Sequence, residues 1–567
     1  MNPRKANARL YRLLLDLLAI LAAAILITLP IFIFGIPNGN DLPQHYQFAQ
    51  TFYASVQNGV LYPSWADTTN YGFGDVGIRF YPPLAYYVLI AFETTSKNWF
   101  DASVLTFCFW FFLGGVGVYA WARQWFSERA SLLAAFVYIF APYHANQIYN
   151  AFTYAEFAAA SIIPFCFLFV TRICRGGKKS DVMGLAVSYA VLVLTHLPMT
   201  VIGSLALLVY SLASLPRKAS LRIIAKLAFS VVLGLLASAF YWVRMVTELD
   251  FLNHAREEFT TAAYDFHSNF LVGFPYVSWA DYADRALWFG DLVLLITFGL
   301  FLPSAAIFYY MGKGKEKPRL SGPGVLLAIS VFIATPLSLP IWDNFSPLQR
   351  VQFPWRWLAI ISLSGTIFAA AGFGYLADAF RSKFRPLSIL TVGFIIAGVV
   401  FTAAQVIRPA NFSGREEFTE RVDNLADAIS YECWWTIWSK KEAFSNRQKV
   451  SAPDRTVEIE DWEATERLFR VSAGSAGEAR IATFYYPYWQ AVVNGEQVSV
   501  KRDQDGTILI PLKENKVEVR LYFLEPFRVK AANVLSGAAW LFFVAFLAIA
   551  IAKKFKKNTP KQGLPIL

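Results

Sequence analysis

Long apolar runs, most of them closed by Lys or Arg, alternate with polar loops along this chain. A run of about 20 apolar residues crosses a bilayer as a helix. Read that way, the pattern predicts about a dozen spans. They cover about 13–35, 102–122, 130–146, 157–173, 182–196, 199–215, 223–243, 290–311, 323–341, 356–377, 387–406 and 529–552. The stretch 82–92 is apolar but too short to cross, and reads as interfacial or re-entrant. Two long polar loops, 36–80 and 244–288, interrupt the series. A polar segment precedes the last span. Its first part, 416–435, has helical spacing, with Phe418, Val422, Leu425, Ile429 and Trp434 near one face. Strand signals follow at 457–459, 480–486, 489–493, 497–500, 507–510 and 516–523. Asn494-Gly495 and Asp505-Gly506 join neighbouring strands as tight turns.

The pattern therefore predicts a mainly α, polytopic membrane protein carrying a small α+β module that resembles a β-sandwich. Its parts are a transmembrane domain at 1–406, a β-rich module at 407–528, and a final span with a basic tail at 529–567. With the N-terminus inside, the basic clusters at 4–12, 172–179, 217–226, 313–319, 381–385 and 553–557 fall on the cytoplasmic side. Both termini are then cytoplasmic, and both long loops and the module lie outside. The first apolar run is long and lacks a small-residue cleavage site, so it reads as an uncleaved span of a plasma-membrane protein.

Composition sharpens this picture. Of 567 residues, 56% are hydrophobic and only 16% charged, against roughly 25% charged in a soluble domain. The net charge of +11 comes from loop Lys and Arg, so it points to membrane topology and lipids, not to nucleic acid. Four cysteines, three of them in or beside apolar runs, imply no disulfide framework. The five histidines, His45, His144, His196, His254 and His267, have no zinc-ligand spacing.

Candidate chemistry gathers on the outer side. Asp41 lies just past the first span, where partial shielding from water raises a carboxyl toward a useful base. His45, four residues on, shares a helical face with it. An Asp after Asn-Gly is equally a turn or cap residue. Gln349–Trp357 sets Arg350 and Arg356 at the mouth of a span; Arg suits bidentate phosphate binding, and a lipid headgroup contact is the competing reading. Arg79 is a further cation, and Tyr81 offers an apolar face to a sugar ring. His144, Glu156, His196 and Glu248 fall at the outer ends of other spans, where polar residues usually face a cavity.

In order along the chain, these motifs resemble those of the GT-C glycosyltransferase superfamily. They are closest to its membrane group named for a relation to 6-pyruvoyl-tetrahydropterin synthase. The likeness rests on Asp41 with His45, Leu61–Trp65, Gly72-Phe73-Gly74, Phe80–Leu84, Glu156, Thr195-His196, Tyr241-Trp242 with Glu248, Phe353–Arg356, Tyr485–Trp489 and Val493-Asn494-Gly495. It implies sugar transfer from a polyprenyl-phosphate-linked donor to a glycan, lipid or protein acceptor, with inversion. Asp41 is then the base, His45 is the second catalytic residue, and Arg79, Tyr81, His144, Glu156, His196, Glu248, Arg350 and Arg356 bind substrate. The superfamily often carries an acidic pair in the first outer loop; Asp41 has no adjacent acid, which leaves a divalent metal open. The competing functions are a lipid-linked-glycan flippase, which would place ionisable residues at mid-span, and a non-catalytic envelope glycan-assembly protein.

Overall fold

The computed structural model describes residues 3–216, 221–255, 265–271, 296–311, 320–383 and 385–558. The basic clusters at 217–220 and 312–319, residues 290–295 of the 290–311 run, and 256–264 and 272–288 of the second outer loop lie outside the described residues.

The apolar runs fold as helices that pack on one another. These are α1 (Pro3–Phe34), α2 (Leu42–Gln57), α3 (Leu84–Ser96), α4 (Trp99–Ala122), α5 (Glu128–Ile139), α6 (Pro142–Tyr149), α7 (Tyr154–Cys174), α8 (Lys179–Val193), α9 (Leu197–Ser214), α10 (Leu221–Ala237) and α11 (Ala239–Glu248). Helices Leu302–Met311, Ser321–Ala334, Leu358–Lys383, Arg385–Ile407 and Phe527–Asn558 follow. The centre is α7, enclosed by α4, α8 and α9. Close packing of α4 on α7 needs small residues. A Cβ on Gly117 would sit 2.9 Å from the Phe165 ring. The terminal helix Phe527–Asn558 rests on α10 and α11 and leaves much apolar surface outward, as a lipid-facing span does.

Several predicted spans are broken. Among the described residues, six helices are long and apolar enough to cross a membrane, or eight if each of two bent pairs counts as one span. The 323–341 run turns by 88° at Thr335-Pro336, because a residue before proline is driven out of the helical region; Thr335 has ψ 158°. The 223–243 run bends by 76° at Ser238. Its hydroxyl bonds back to the Gly234 and Leu235 carbonyls, and Phe240 N–H donates to Ser536 Oγ at 2.9 Å. The 130–146 run divides into α5 and α6 at Ala141-Pro142. The short 82–92 stretch is α3, which lies against α4, α2 and α7.

The outer module is a two-sheet β structure. One sheet orders β3 (Val450–Ser451), β6 (Gly477–Phe484), β10 (Thr507–Leu512) and β9 (Lys501–Arg502). The other orders β4 (Val457–Trp462), β5 (Glu466–Val471), β11 (Val517–Phe523), β7 (Trp489–Val493) and β8 (Glu496–Val498). All pairs are antiparallel. Asn494-Gly495 makes the β7–β8 turn with positive φ at both residues. Strand β5 carries no sequence signal because its inward positions are Arg467, Phe469 and Val471, and a buried arginine breaks the apolar alternation.

The helix expected over 416–435 stops at Asp423. From its last turn onward, backbone carbonyls accept from the first outer loop, and only short local turns follow. Gln50 Nε2 donates to the Val422 carbonyl at 2.7 Å, and Gln47 Nε2 to the Ala428 carbonyl at 2.8 Å. The loop also completes the module's core: Trp65, Phe73, Val76 and Phe80 are buried with Phe469, Ile481, Phe484 and Trp489. Phe484 N–H donates to the Phe73 carbonyl at 3.0 Å.

Trp65→Ala is therefore expected to loosen the module from the membrane helices, at a cost of about 3–5 kcal/mol. Thermal unfolding of the purified protein should shift down, and limited proteolysis should cut first within residues 440–525. Unchanged unfolding and cleavage would contradict this shared core.

Candidate active site

Three short elements carry the first outer loop out of α1. Strand β1 (Ile36–Pro37) pairs antiparallel with β2 (Phe412–Ser413). Gly39 then passes so close to Ala151 and Phe152 that a Cβ would lie 2.4 Å from the Phe152 Cβ. Asp41 follows as the residue that opens α2, yet its side chain makes no cap bond. The helix start is served by Pro43 in its first turn instead. The Asp41 carboxylate thus makes no hydrogen bond within the described residues, and the helix-cap reading of this residue does not hold. It is half-buried. Burial pushes its carboxyl up to about 6, Arg356 opposes that rise and Glu156 adds to it.

Glu156 and Arg356 form the fixed frame beside it. Glu156 lies in the first turn of α7, where a helix N-terminus favours an anion. It is fully buried and accepts from Tyr143 Oη at 2.6 Å, from Gln147 Nε2, and from Arg356 Nε at 2.7 Å. Arg356 donates its Nη1 to the Val351 carbonyl at 2.5 Å. Its guanidinium lies over the Phe353 and Trp355 rings, at 4.7 and 5.7 Å. These contacts leave Nη2 uncommitted among the described residues. Gln147 is one turn on from Tyr143 along α6, so both reach the same carboxylate. That spacing was the signal for Gln147, which sequence reasoning missed.

Tyr81 and His45 close the other sides. The charges of Asp41, Arg356 and Glu156 all act on the Tyr81 hydroxyl, whose pKa rises chiefly through burial. Its ring packs on Phe48 and Trp434, with centroids at 4.7 and 5.5 Å. His45 Nδ1 is 2.7 Å from Tyr86 Oη, and its ring is walled by Tyr81, Phe152 and Tyr154. Burial holds His45 down to about 3, so it is neutral at physiological pH. The neutral ring keeps one N–H, and its Nδ1 pairs with the Tyr86 hydroxyl. His196 opens α9, where its Nδ1 accepts from Met199 N–H at 3.4 Å, and it lies near Arg356 and the His45 ring.

The remaining predicted site residues lie elsewhere. Arg79 and Glu248 are buried together in a second cluster. Arg79 gives Nε and Nη2 to Glu248 at 3.1 and 2.9 Å, and Nη1 and Nη2 to Glu525 at 2.5 and 3.0 Å. Tyr486 Oη donates to the same Glu248 oxygen at 2.8 Å. All guanidinium nitrogens of Arg79 have partners here, and it holds the first outer loop to α11 and to the module's exit. His144 is buried against Tyr138, Tyr143 and Phe157 and does not join the carboxylates. Arg350 is exposed on the turn after the helix Ser346–Gln349.

Among the described residues no three His, Cys, Asp or Glu side chains gather as a metal site. Asp41 and Glu156 are the two carboxylates near one another, and Glu156 is already saturated by Tyr143, Gln147 and Arg356. Among the described residues, the side chains beside Asp41 therefore do not supply the carboxylates that a divalent ion would need.

The chain matches the family model of the 6-pyruvoyl-tetrahydropterin synthase related domain, a membrane protein family, over residues 78–406. No curated protein matches it by sequence. Among solved structures it is similar to ArnT from Cupriavidus metallidurans bound to undecaprenyl phosphate, at 16% identity and a TM-score of 0.44, covering 69% of this chain and 65% of that one. It is similar to the archaeal oligosaccharyltransferase AglB from Archaeoglobus fulgidus, in complex with an inhibitory peptide and a dolichol-phosphate, at 14% identity and a TM-score of 0.33, covering 73% and 56%. It is also similar to the arabinosyltransferase EmbB from Mycobacterium smegmatis, at 10% identity and a TM-score of 0.35, covering 89% and 62%. The chain spans less than two thirds of the length of each of these three.

Because Arg356 opposes the burial of Asp41, Arg356→Gln should raise the Asp41 pKa above about 6. Infrared spectra titrated from pH 4 to 9 should show a protonated-carboxyl band that disappears near pH 6, is absent in Asp41→Asn, and persists to higher pH in Arg356→Gln. A band that titrates at an ordinary carboxyl pH, or does not move in Arg356→Gln, would contradict the site's electrostatics.

Proposed function

We propose that this chain, which belongs to the 6-pyruvoyl-tetrahydropterin synthase related membrane protein family, is a GT-C-type glycosyltransferase of the plasma membrane. It works on the outer face, with both termini in the cytoplasm. The donor is a sugar linked to a polyprenyl phosphate; the acceptor is a glycan, lipid or protein. The observation that carries the reading is the uncapped, half-buried Asp41 carboxylate beside an Arg356 whose Nη2 is uncommitted.

The reaction is a single displacement. The acceptor oxygen forms a bond to the anomeric carbon as the bond from that carbon to the phosphate oxygen breaks. Asp41 takes the acceptor proton, and polyprenyl phosphate leaves with the electron pair. The product is inverted at the sugar. A carboxyl titrating near 6 is mostly ionised at neutral pH and is still a stronger base than an ordinary carboxylate. Arg356, aimed by Glu156 and the Val351 carbonyl, steadies the negative charge that grows on the phosphate. Tyr81 bounds the space between base and cation. His45 and His196 are positioning residues. Membrane position supplies the donor, since its lipid chain stays in the bilayer while its head reaches the outer ends of the spans.

The test is transfer by the full chain in lipid nanodiscs, from a panel of polyprenyl-phosphate monosaccharides to a cell-envelope extract, followed as release of polyprenyl phosphate. Asp41→Asn is expected to lose about 10²–10⁴-fold in rate with unchanged thermal unfolding. The wild-type rate should fall about tenfold per pH unit below about 6. No turnover with any donor, together with full complementation of a deletion strain by Asp41→Asn, would overturn the reading.

A further inference from the structure

The module segment Tyr431-Glu432-Cys433-Trp434 lies against the Asp41 loop. It is held from three directions. Tyr431 Oη donates to the Asn40 carbonyl at 2.8 Å, one residue before Asp41, and Tyr431 N–H donates to Gln44 Oε1 at 3.1 Å. Ser430 just ahead of it is locked in a buried knot: its hydroxyl donates to Asp75 Oδ2 at 2.5 Å and its N–H to Asn70 Oδ1 at 3.0 Å. Trp434 leans on Tyr81 and Phe48 from α2 and the first loop, and its ring centroid lies 5.3 Å from His254 of the second loop. Burial chiefly pushes the Cys433 thiol up to about 12, and the nearby Asp41 and Asp75 charges add to that rise, so its alkylation is slow and sensitive to what covers it. Both Cys433 and Trp434 remain partly exposed.

We propose that this segment is the acceptor-side wall of the site, and that Trp434 offers its indole face to the pyranose ring of a carbohydrate acceptor. The assignment rests on the transferase reading and deepens it. Arg356 and Glu156 belong to the span-end frame that faces the lipid phosphate. Tyr431–Trp434 approaches Asp41 from the module, and a base must touch the acceptor hydroxyl, so the group that reaches the base from outside the membrane faces the acceptor. The wall's chemistry selects a sugar over a lipid tail or an extended peptide. It joins an indole and a phenol to an ionic pair, Glu432 with Lys441. Aromatic faces receive the C–H face of a pyranose, and polar edges receive its hydroxyls. A lipid tail would need an apolar trough, and a peptide would need an open strand edge.

Two measurements on the full chain in nanodiscs test this. The first is the rate at which N-ethylmaleimide alkylates Cys433, read by peptide mass spectrometry. Methyl gluco-, galacto- and mannopyranosides at millimolar concentration should include one that slows it at least fivefold, and sorbitol at the same concentration should not. The second is transfer to the protecting pyranoside. Trp434→Ala should raise its KM about tenfold with the donor KM moved less than threefold, and Trp434→Phe should restore most of the loss. Unslowed alkylation with all three pyranosides would overturn the assignment, as would a Trp434→Ala variant whose acceptor and donor KM values rise together or stay at wild-type values. The two readings fail separately: absence of donor turnover by the wild type counts against the transferase, whereas alkylation reports sugar at the wall without any turnover.

Discussion

The Glu156–Arg356 ion pair is the constraint around which the outer end of this protein is arranged. It joins the first turn of α7, a largely buried helix, to the residues just ahead of Leu358–Lys383. Taking two charges out of water costs several kcal/mol per ion, and their attraction repays it only where further hydrogen bonds satisfy both groups. Tyr143 and Gln147 supply those to the carboxylate, and the Val351 carbonyl and two aromatic faces supply them to the guanidinium. Removing one partner of such a pair costs about 3–5 kcal/mol, because the other is left buried and unpaired. The geometry of Arg356 is therefore set before any substrate arrives, and Asp41 receives its charge environment from a frame that does not move with it.

A second buried cluster does the corresponding work for the module. Arg79 binds Glu248 of α11 and Glu525 just before the last span. Arg244 adds a contact to Glu525 at 3.3 Å. The first outer loop thus grips both the membrane helices and the module's exit, while its Trp65 and Phe73 sit inside the module's core. The loop that carries Asp41 and the module that lies against it are one packed unit. This is why Tyr431–Trp434 arrives beside Asp41 with fixed hydrogen bonds and not as a loose flap.

The two clusters divide the polar residues at the module end of the helices into two kinds. Where every nitrogen and oxygen has a partner, as at Arg79, the side chain is structural. Where a group stays uncommitted in a partly shielded place, as at the Asp41 carboxylate and Arg356 Nη2, chemistry is available. Sequence position alone does not separate these kinds, because both lie at the outer ends of spans.

The run of apolar residues and basic clusters was enough to read a polytopic helical protein with a β-rich module, since burial in lipid admits few other solutions for such segments. The motif order was enough to place Asp41, Glu156 and Arg356 among the candidates and to give the family. Where the spans break at Ser238, Ala141-Pro142 and Thr335-Pro336 was partly legible, because proline acts locally while the Ser238 bend depends on a helix almost 300 residues away. The end of the 416–435 helix at Asp423 and the buried arginine of β5 were not legible, because side chains of the first outer loop and tertiary burial outweigh local periodicity there. Nor was the division of the site. Only folding decides that Arg79 is saturated, that His45 is neutral, and that Trp434, some 350 residues from Tyr81, packs against it, because each depends on which long-range partners the packed chain brings within a few ångströms.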